Sequence, residues 1–251
     1  MRLTILGSGN ARQVPVYNCG CAACQRARVE AAWRRGPCCA LVECGAQRWL
    51  IDSGLTDLTE RFAPGSLSGI LQTHYHADHA QGLLHLRWGT GLRIPVHGPQ
   101  DPEGLADLYK HPGILDFSEP FAALERRMLG ELSVIALPLN HSKPTLGYLF
   151  EGHGRRIAYL TDTLGVPAVS LDVLRQAPLD ALVLDCSSPP QAVPNNHNDL
   201  PHALATIADL QPRHAWLTHI GHELDAWLME NPGALPAGVG LAMDGQAVCA
   251  R

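Results

Sequence analysis

The sequence contains no apolar run approaching the roughly 20 residues of a membrane-spanning helix, so no membrane partner is expected. It also lacks a basic stripe: 19 Lys and Arg stand against 24 Asp and Glu, with a formal charge of −5. Long polyanionic RNA is gripped by clustered cations, so nucleic acid is not an expected partner either. A small phosphorylated substrate stays compatible, because bound metals can supply positive charge locally. There is no Ser/Gly linker, no block of like charge and no low-complexity tract, so residues 1–251 are expected to form a single domain. The opening segment MRLTILG (1–7) is too short for a secretory apolar core and reads as a strand, which points to the cytoplasm. Eight cysteines in such a chain suggest metal ligands or free thiols rather than disulfides.

What the chain does contain is concentrated in Thr73-His74-Tyr75-His76-Ala77-Asp78-His79, with four strong ligands in six residues. Imidazole and carboxylate together suit divalent first-row metals. Ser68–Thr73 is an apolar run ending in a polar residue, so it predicts a buried strand. In extended chain His74 and His76 leave from one face and can hold one ion. Asp78 then starts a helix, with Ala80, Leu83 and Leu84 as its apolar face and Gly89 as a stop. Asp78 and His79, at the turn, aim at a second ion. Two adjacent metals imply hydrolysis.

Further ligand types stand where other apolar runs end. LSVIALPL (132–139) hands over to Asn140-His141, RIAYLT (156–161) to Asp162, and HAWLT (214–218) to His219. A common strand-end edge is where a sheet scaffold gathers a site. Segments 147–151 and 155–161, around a Gly-rich turn, read as a hairpin. Residues 180–186 read as a strand, and 201–210 and 223–231 as helices. Gly7-Ser8-Gly9 reads as a tight turn.

A second cluster is Cys19, Cys21 and Cys24, three thiols that suit zinc but lack a fourth ligand nearby. Cys38, Cys39, Cys44, Cys186 and Cys249 read as small buried residues. His197, in the polar loop NNHND, is a general-acid candidate because imidazole titrates near neutrality. Lys143, two residues after His141, could meet a phosphate as a point charge. Arg87 and Trp88 could line a pocket or simply pack.

The order His74-x-His76-x-Asp78-His79, His141, Asp162, His219, with Leu50-Ile51-Asp52-Ser53-Gly54 upstream, resembles the metallo-β-lactamase superfamily. The resemblance spans essentially the whole chain. It implies an α/β (α+β) fold, the αββα sandwich of two mixed sheets flanked by helices. It implies that His74, His76 and His141 bind one ion, that Asp78, His79 and His219 bind another, and that Asp162 bridges them. Asp52 would orient the ligands. Cys19-Gly20-Cys21-Ala22-Ala23-Cys24, Leu86–Gly89, Lys110–Gly113, Asn140–Lys143 and Asp225–Asn231 are similar to the PhnP family of cyclic phosphodiesterases. That likeness implies hydrolysis of 5-phospho-α-D-ribosyl 1,2-cyclic phosphate to α-D-ribosyl 1,5-bisphosphate in phosphonate catabolism. It further implies two Mn2+ in the active site, a homodimer, His197 as the acid, and His222 as fourth ligand of one structural Zn2+.

Other readings share the metal core. A tRNA 3′-end nuclease would be expected to carry a basic arm, and a glyoxalase-type thioesterase a C-terminal helical region. A PqqB-like carrier would lack a full dinuclear ligand set. A broader cyclic nucleotide phosphodiesterase is the nearest alternative.

Overall fold

Short runs rich in Val, Ile, Leu and aromatic residues, punctuated by Gly turns, form the strands. In the computed structural model, which describes residues 1–248, they assemble into two seven-stranded sheets. The first holds β1 (Arg2–Gly7), β2 (Cys39–Cys44), β3 (Gln47–Ile51), β4 (Gly69–Leu71), β5 (Ile94–His97) and β6 (Leu115–Asp116). The second holds β7 (Arg126–Leu129), β8 (Leu132–Pro138), β9 (Leu146–Gly152), β10 (Arg155–Leu160), β11 (Ala181–Asp185), β12 (Ala215–Thr218) and β13 (Val239–Leu241). β14 (Ala247–Val248) returns to pair with β1. The helices are α1 (Ala22–Val29), α2 (Leu58–Arg61), α3 (Ala77–Ala80), α4 (Leu83–Leu86), α5 (Ala106–Lys110), α6 (Ala168–Leu174), α7 (Leu200–Leu210) and α8 (His222–Glu230).

Each sheet is mixed in the same sense. β1–β2–β3 and β7–β8–β9–β10 are antiparallel, whereas β3–β4–β5–β6 and β10–β11–β12–β13 are parallel. This pairing makes β3, β4 and β5 end at one edge of their sheet. It makes β8, β10, β11 and β12 end together in the other.

The layers follow from alternation along the strands. Tyr148, Phe150, Tyr159 and Val183 face inward and pack with Ile5, Val42, Trp49 and Ile51 between the sheets. Leu149, Leu160, Leu182 and Leu184 face outward and are covered by Leu174, Ala203 and Leu224 of α6, α7 and α8. Leu50 and Ile70, on the outside of the first sheet, meet Leu58, Leu83 and Leu108 of α2, α4 and α5. Strands buried on both faces read as continuous apolar runs, which is why ALVLD showed no period of two. Helices on both outer faces complete the αββα sandwich.

The expected hairpin, the strand near 181–185 and both C-terminal helices are present. The single helix expected from Asp78 toward Gly89 is instead two short ones, α3 and α4. Gly82 sits between them, and a Cβ there would lie 2.2 Å from the Leu55 carbonyl oxygen and 2.6 Å from that of Ser53. The backbone stays right-handed helical there, but the Gly82 N–H bonds the Ser53 carbonyl at 2.8 Å instead of continuing the helix, an approach a side chain would block. Leu84, expected on the apolar face, is exposed.

Cys38, Cys39, Cys44 and Cys186 are buried as expected, while Cys249 lies outside the described residues. Arg87 packs: it is buried, bonds Asp107 at 2.6 Å, and ties α4 to α5, while Trp88 is exposed. No helix among the described residues is long and apolar enough to cross a membrane.

Candidate metal centre

The strand ends deliver their ligand-type residues to one place. His74 and His76 follow β4, His141 follows β8, Asp162 follows β10 and His219 follows β12. Asp52, Asp162 and His219 have φ of 59°, 57° and 58°, the left-handed region that non-glycine residues seldom enter. Three such residues at one edge indicate backbone held out of its preferred state to aim side chains.

One donor set consists of His74, His76, His141 and Asp162. His74 Nε2 and His141 Nε2 lie 2.9 and 3.0 Å from His76 Nδ1, and 3.6 and 3.5 Å from Asp162 Oδ2. Atoms about 2.1 Å from a shared ion stand about 3.0–3.4 Å apart in octahedral or tetrahedral arrangements. These spacings fit a common cation.

The second set is Asp78, His79 and His219. Asp162 Oδ1 is 3.1 Å from His79 Nε2 and 3.5 Å from His219 Nε2, while Asp78 Oδ2 is 3.4 and 3.7 Å from the same two nitrogens. Asp162 thus turns one oxygen to each set. The buried Nε2 atoms of His79 and His219 find no hydrogen-bond partner among the described residues. Orphaned buried nitrogens are costly unless something else engages them, and both point at the place where a second cation fits.

Electrostatics agree. Burial pushes His74, His76 and His141 below their ordinary value, toward the neutral form that binds metals. Burial opposes the Asp162 anion, yet His219, His79 and His74 hold its carboxyl well below the usual range. His79 is raised well above its ordinary value against burial, because Asp162 and Asp52 flank it. The centre calls for positive charge.

The other ring nitrogens are fixed from behind. Asp52 is buried and 2.8 Å from His79 Nδ1, and it accepts from the Thr73 backbone N–H and hydroxyl and from Gln72. It orients His79, as the family pattern implies. His74 Nδ1 meets Thr73 Oγ1, His141 Nδ1 meets the Asn196 carbonyl, and His219 Nδ1 meets Ser187 Oγ at 2.8 Å. Ser187 in turn donates to Asp185. Thr73, Ser187 and Asp185 are absent from the residues singled out by sequence. Asp185 alone carried a usable signal, because it ends the apolar run 181–185 as Asp162 ends its own. Removing such outer partners typically weakens metal binding about 10- to 100-fold. Ser187→Ala is therefore expected to loosen metal at the His219 side by about that factor, read by competition with a chromophoric chelator.

His197 lies at the same edge, its ring stacked on His219 at 4.7 Å. Its Nδ1 is 2.9 Å from Asp185 Oδ2. Burial works against its charge, but the Asp185 hydrogen bond and carboxylate outweigh it and lift the imidazole to about 9. Lys143 Nζ is bonded to Asp101 at 3.2 Å and to the Gly104 carbonyl, with Lys143 and His141 lining one cleft of about 800 Å³. Its charge is partly neutralised there by Asp101.

The cysteine cluster assembles with His222. Cys19 Sγ and Cys21 Sγ are 3.5 and 3.4 Å from His222 Nδ1, and with Cys24 the four donors lie within 4.8 Å of one another. His222 opens α8 and Cys24 lies in α1, so a metal here would pin those two helices together. Four protein ligands of S and N type fit a closed, structural zinc.

An αββα sandwich with two donor sets sharing one aspartate at a strand-end edge defines a metal-dependent hydrolase of the metallo-β-lactamase type. Residues 41–220 match the Beta-lactamase superfamily domain, and the chain belongs to that superfamily. Its structure is similar to that of a diphosphatase from the PhnP family, at 29% identity and a TM-score of 0.82, covering 99% of this chain and 97% of the other. The Zn2+-bound PqqB of Methylobacterium extorquens has the same fold, at 20% identity and a TM-score of 0.79, covering 99% and 100% of the two chains. In sequence, the chain is 28% identical over 110 residues to the coenzyme PQQ synthesis protein B of Rhodopseudomonas palustris (strain BisB5). That match covers 39% of this chain and only 36% of the relative.

Proposed function

We propose that this protein is a dinuclear metal phosphodiesterase that opens 5-phospho-α-D-ribosyl 1,2-cyclic phosphate to α-D-ribosyl 1,5-bisphosphate. The observation that carries the reading is Asp162, whose two carboxylate oxygens face separate donor sets. A phosphodiester anion repels nucleophiles. Divalent cations held at these sets, manganese by family likeness, would neutralise its oxygens and acidify water. Asp162 fixes the spacing of the two sets, and Asp52 and Ser187 keep the ligand rings aimed. Water adds to phosphorus, the bond from phosphorus to ribose O2 breaks, and O2 needs a proton as it leaves. His197, held by Asp185 through Nδ1, keeps a proton at Nε2 for that purpose. Lys143 lines the cleft that would take the sugar phosphate, where it would have to share its charge between Asp101 and the phosphate.

The PhnP-family relative is a diphosphatase. Phosphoanhydride cleavage releases a stable phosphate and gains little from a general acid. A half-buried imidazole held by Asp185 beside the centre, able to give up a proton, favours an ester with an alkoxide leaving group. A carrier role like that suggested by the PqqB likeness would not require the complete ligand set found here.

Phosphorus NMR of the manganese-loaded protein with the 1,2-cyclic phosphate tests the proposal. Clean conversion to the 1,5-bisphosphate is expected. No conversion, with retained hydrolysis of an aryl phosphodiester or a 2′,3′-cyclic nucleotide, would keep the hydrolase and discard this substrate.

A further inference from the structure

The edge opposite the catalytic centre carries its own cluster of metal-type donors. Cys44 ends β2, Glu131 sits in the turn between β7 and β8, and His153 sits in the turn between β9 and β10. Because β3, β8 and β10 run toward the catalytic edge, the turns that precede them lie at the far edge, one from the first sheet and two from the second. Cys44 Sγ, a Glu131 carboxylate oxygen and a His153 ring nitrogen fall within 4.8 Å of one another, with His153 Nε2 2.8 Å from Glu131 Oε2.

Glycine makes this approach possible. A Cβ on Gly45 would stand 2.7 Å from Glu131 Oε2, and one on Gly152 would stand 2.9 Å from Cys44 Sγ. Side chains at either position would push the carboxylate or the thiol aside. The turns are thus bare where the donors converge, and His153 adopts φ 50° to bring its ring in. Cys44 is buried while Glu131 and His153 reach solvent, so a cation can arrive from outside and meet a sulfur on the inner side.

We propose that Cys44, Glu131 and His153 form a further metal site, which takes a zinc-class divalent cation and clamps the two sheets together at the edge away from the catalytic centre. Thiolate, imidazole and carboxylate in one set suit zinc better than the hard cations magnesium and calcium. Three protein ligands leave one position to water. On binding, the Cys44 proton is released to solvent, the His153 Nε2 proton that bridges to Glu131 is exchanged through solvent so that the ring carries its proton on Nδ1, and Nε2 and the carboxylate each take a metal bond. The clamp joins the β2–β3 turn to the β7–β8 and β9–β10 turns, so its effect is on stability and not on turnover.

The test uses full-length protein whose catalytic and cysteine-cluster sites are already loaded, dialysed against free zinc and analysed for metal content. Wild type is expected to retain one equivalent more than Cys44→Ser and His153→Asn, and its melting midpoint to rise with zinc while theirs do not. Asn tolerates the left-handed backbone at 153, and that turn is exposed, so His153→Asn keeps the test open if Cys44→Ser folds poorly. Catalytic rates of the loaded variants should equal wild type. Equal zinc uptake in wild type and His153→Asn, or an extra equivalent that survives in both variants, would overturn the site.

Discussion

Asp162→Asn is expected to abolish turnover, by more than about a thousandfold, while leaving the fold intact. Losing a single preorganised electrostatic group at a reacting centre commonly costs about 10²–10³ in rate, and Asp162 serves two donor sets at once. An amide presents one oxygen and no charge. It can complete the set of His74, His76 and His141 or the set of Asp78, His79 and His219, but not both. Size is unchanged, so the buried site needs no repacking. The expected signature is a lower metal content by elemental analysis, lost activity on any phosphodiester, and unaltered circular dichroism. Near-normal turnover would remove Asp162 from its bridging place and with it the dinuclear reading.

That prediction was largely legible in the sequence. Ligand chemistry sits in short segments, and an apolar run that ends in His or Asp shows both the strand and the edge at once. His74, His76, Asp78, His79, His141, Asp162 and His219 all reach that edge. The double-sided burial of the strands was legible for the same reason. What was not legible depends on contacts between distant segments. Ser187 gains its place only because β11 and β12 lie side by side, which sets its hydroxyl on His219. Nothing in Cys-Ser-Ser-Pro-Pro announces it. The break between α3 and α4 was missed because helical spacing continues through Gly82, and only the distant Ser53 carbonyl, which takes the Gly82 N–H, interrupts the helical bonding. The positive φ at Asp52, Asp162 and His219 is likewise a tertiary imposition, since local propensity opposes it. The Cys44 cluster escaped because its three donors are far apart in sequence and belong to different sheets.

His197→Ala should split substrates by leaving group. General acid catalysis is typically worth about 10²–10⁴ in rate, and it matters only when the departing oxygen is a poor leaving group. A ribose alkoxide needs the proton; an activated aryl oxide does not. Loss on the cyclic sugar phosphate should therefore fall in that range, with the aryl ester close to wild type. Equal losses on both would take His197 out of the acid role and make it a structural neighbour of His219. The pH dependence gives an independent reading. Burial opposes the charged ring, but Asp185 raises it from 6.5 to about 9, so the folded protein holds this proton more tightly than the unfolded chain. In metal-free protein the His197–Asp185 pair then stabilises the fold fully below about 6.5, and that contribution is lost as pH rises through about 9. Urea unfolding of metal-free wild type and His197→Ala should show a stability gap that closes across this window. In loaded enzyme the neighbouring cations repel the same proton and move the ring downward, so the alkaline limb of the rate profile should lie below about 9. Asp185→Asn removes the partner that holds the proton and should bring that limb lower still, with a smaller loss than His197→Ala. A limb unmoved by Asp185→Asn would mean that some other group sets it.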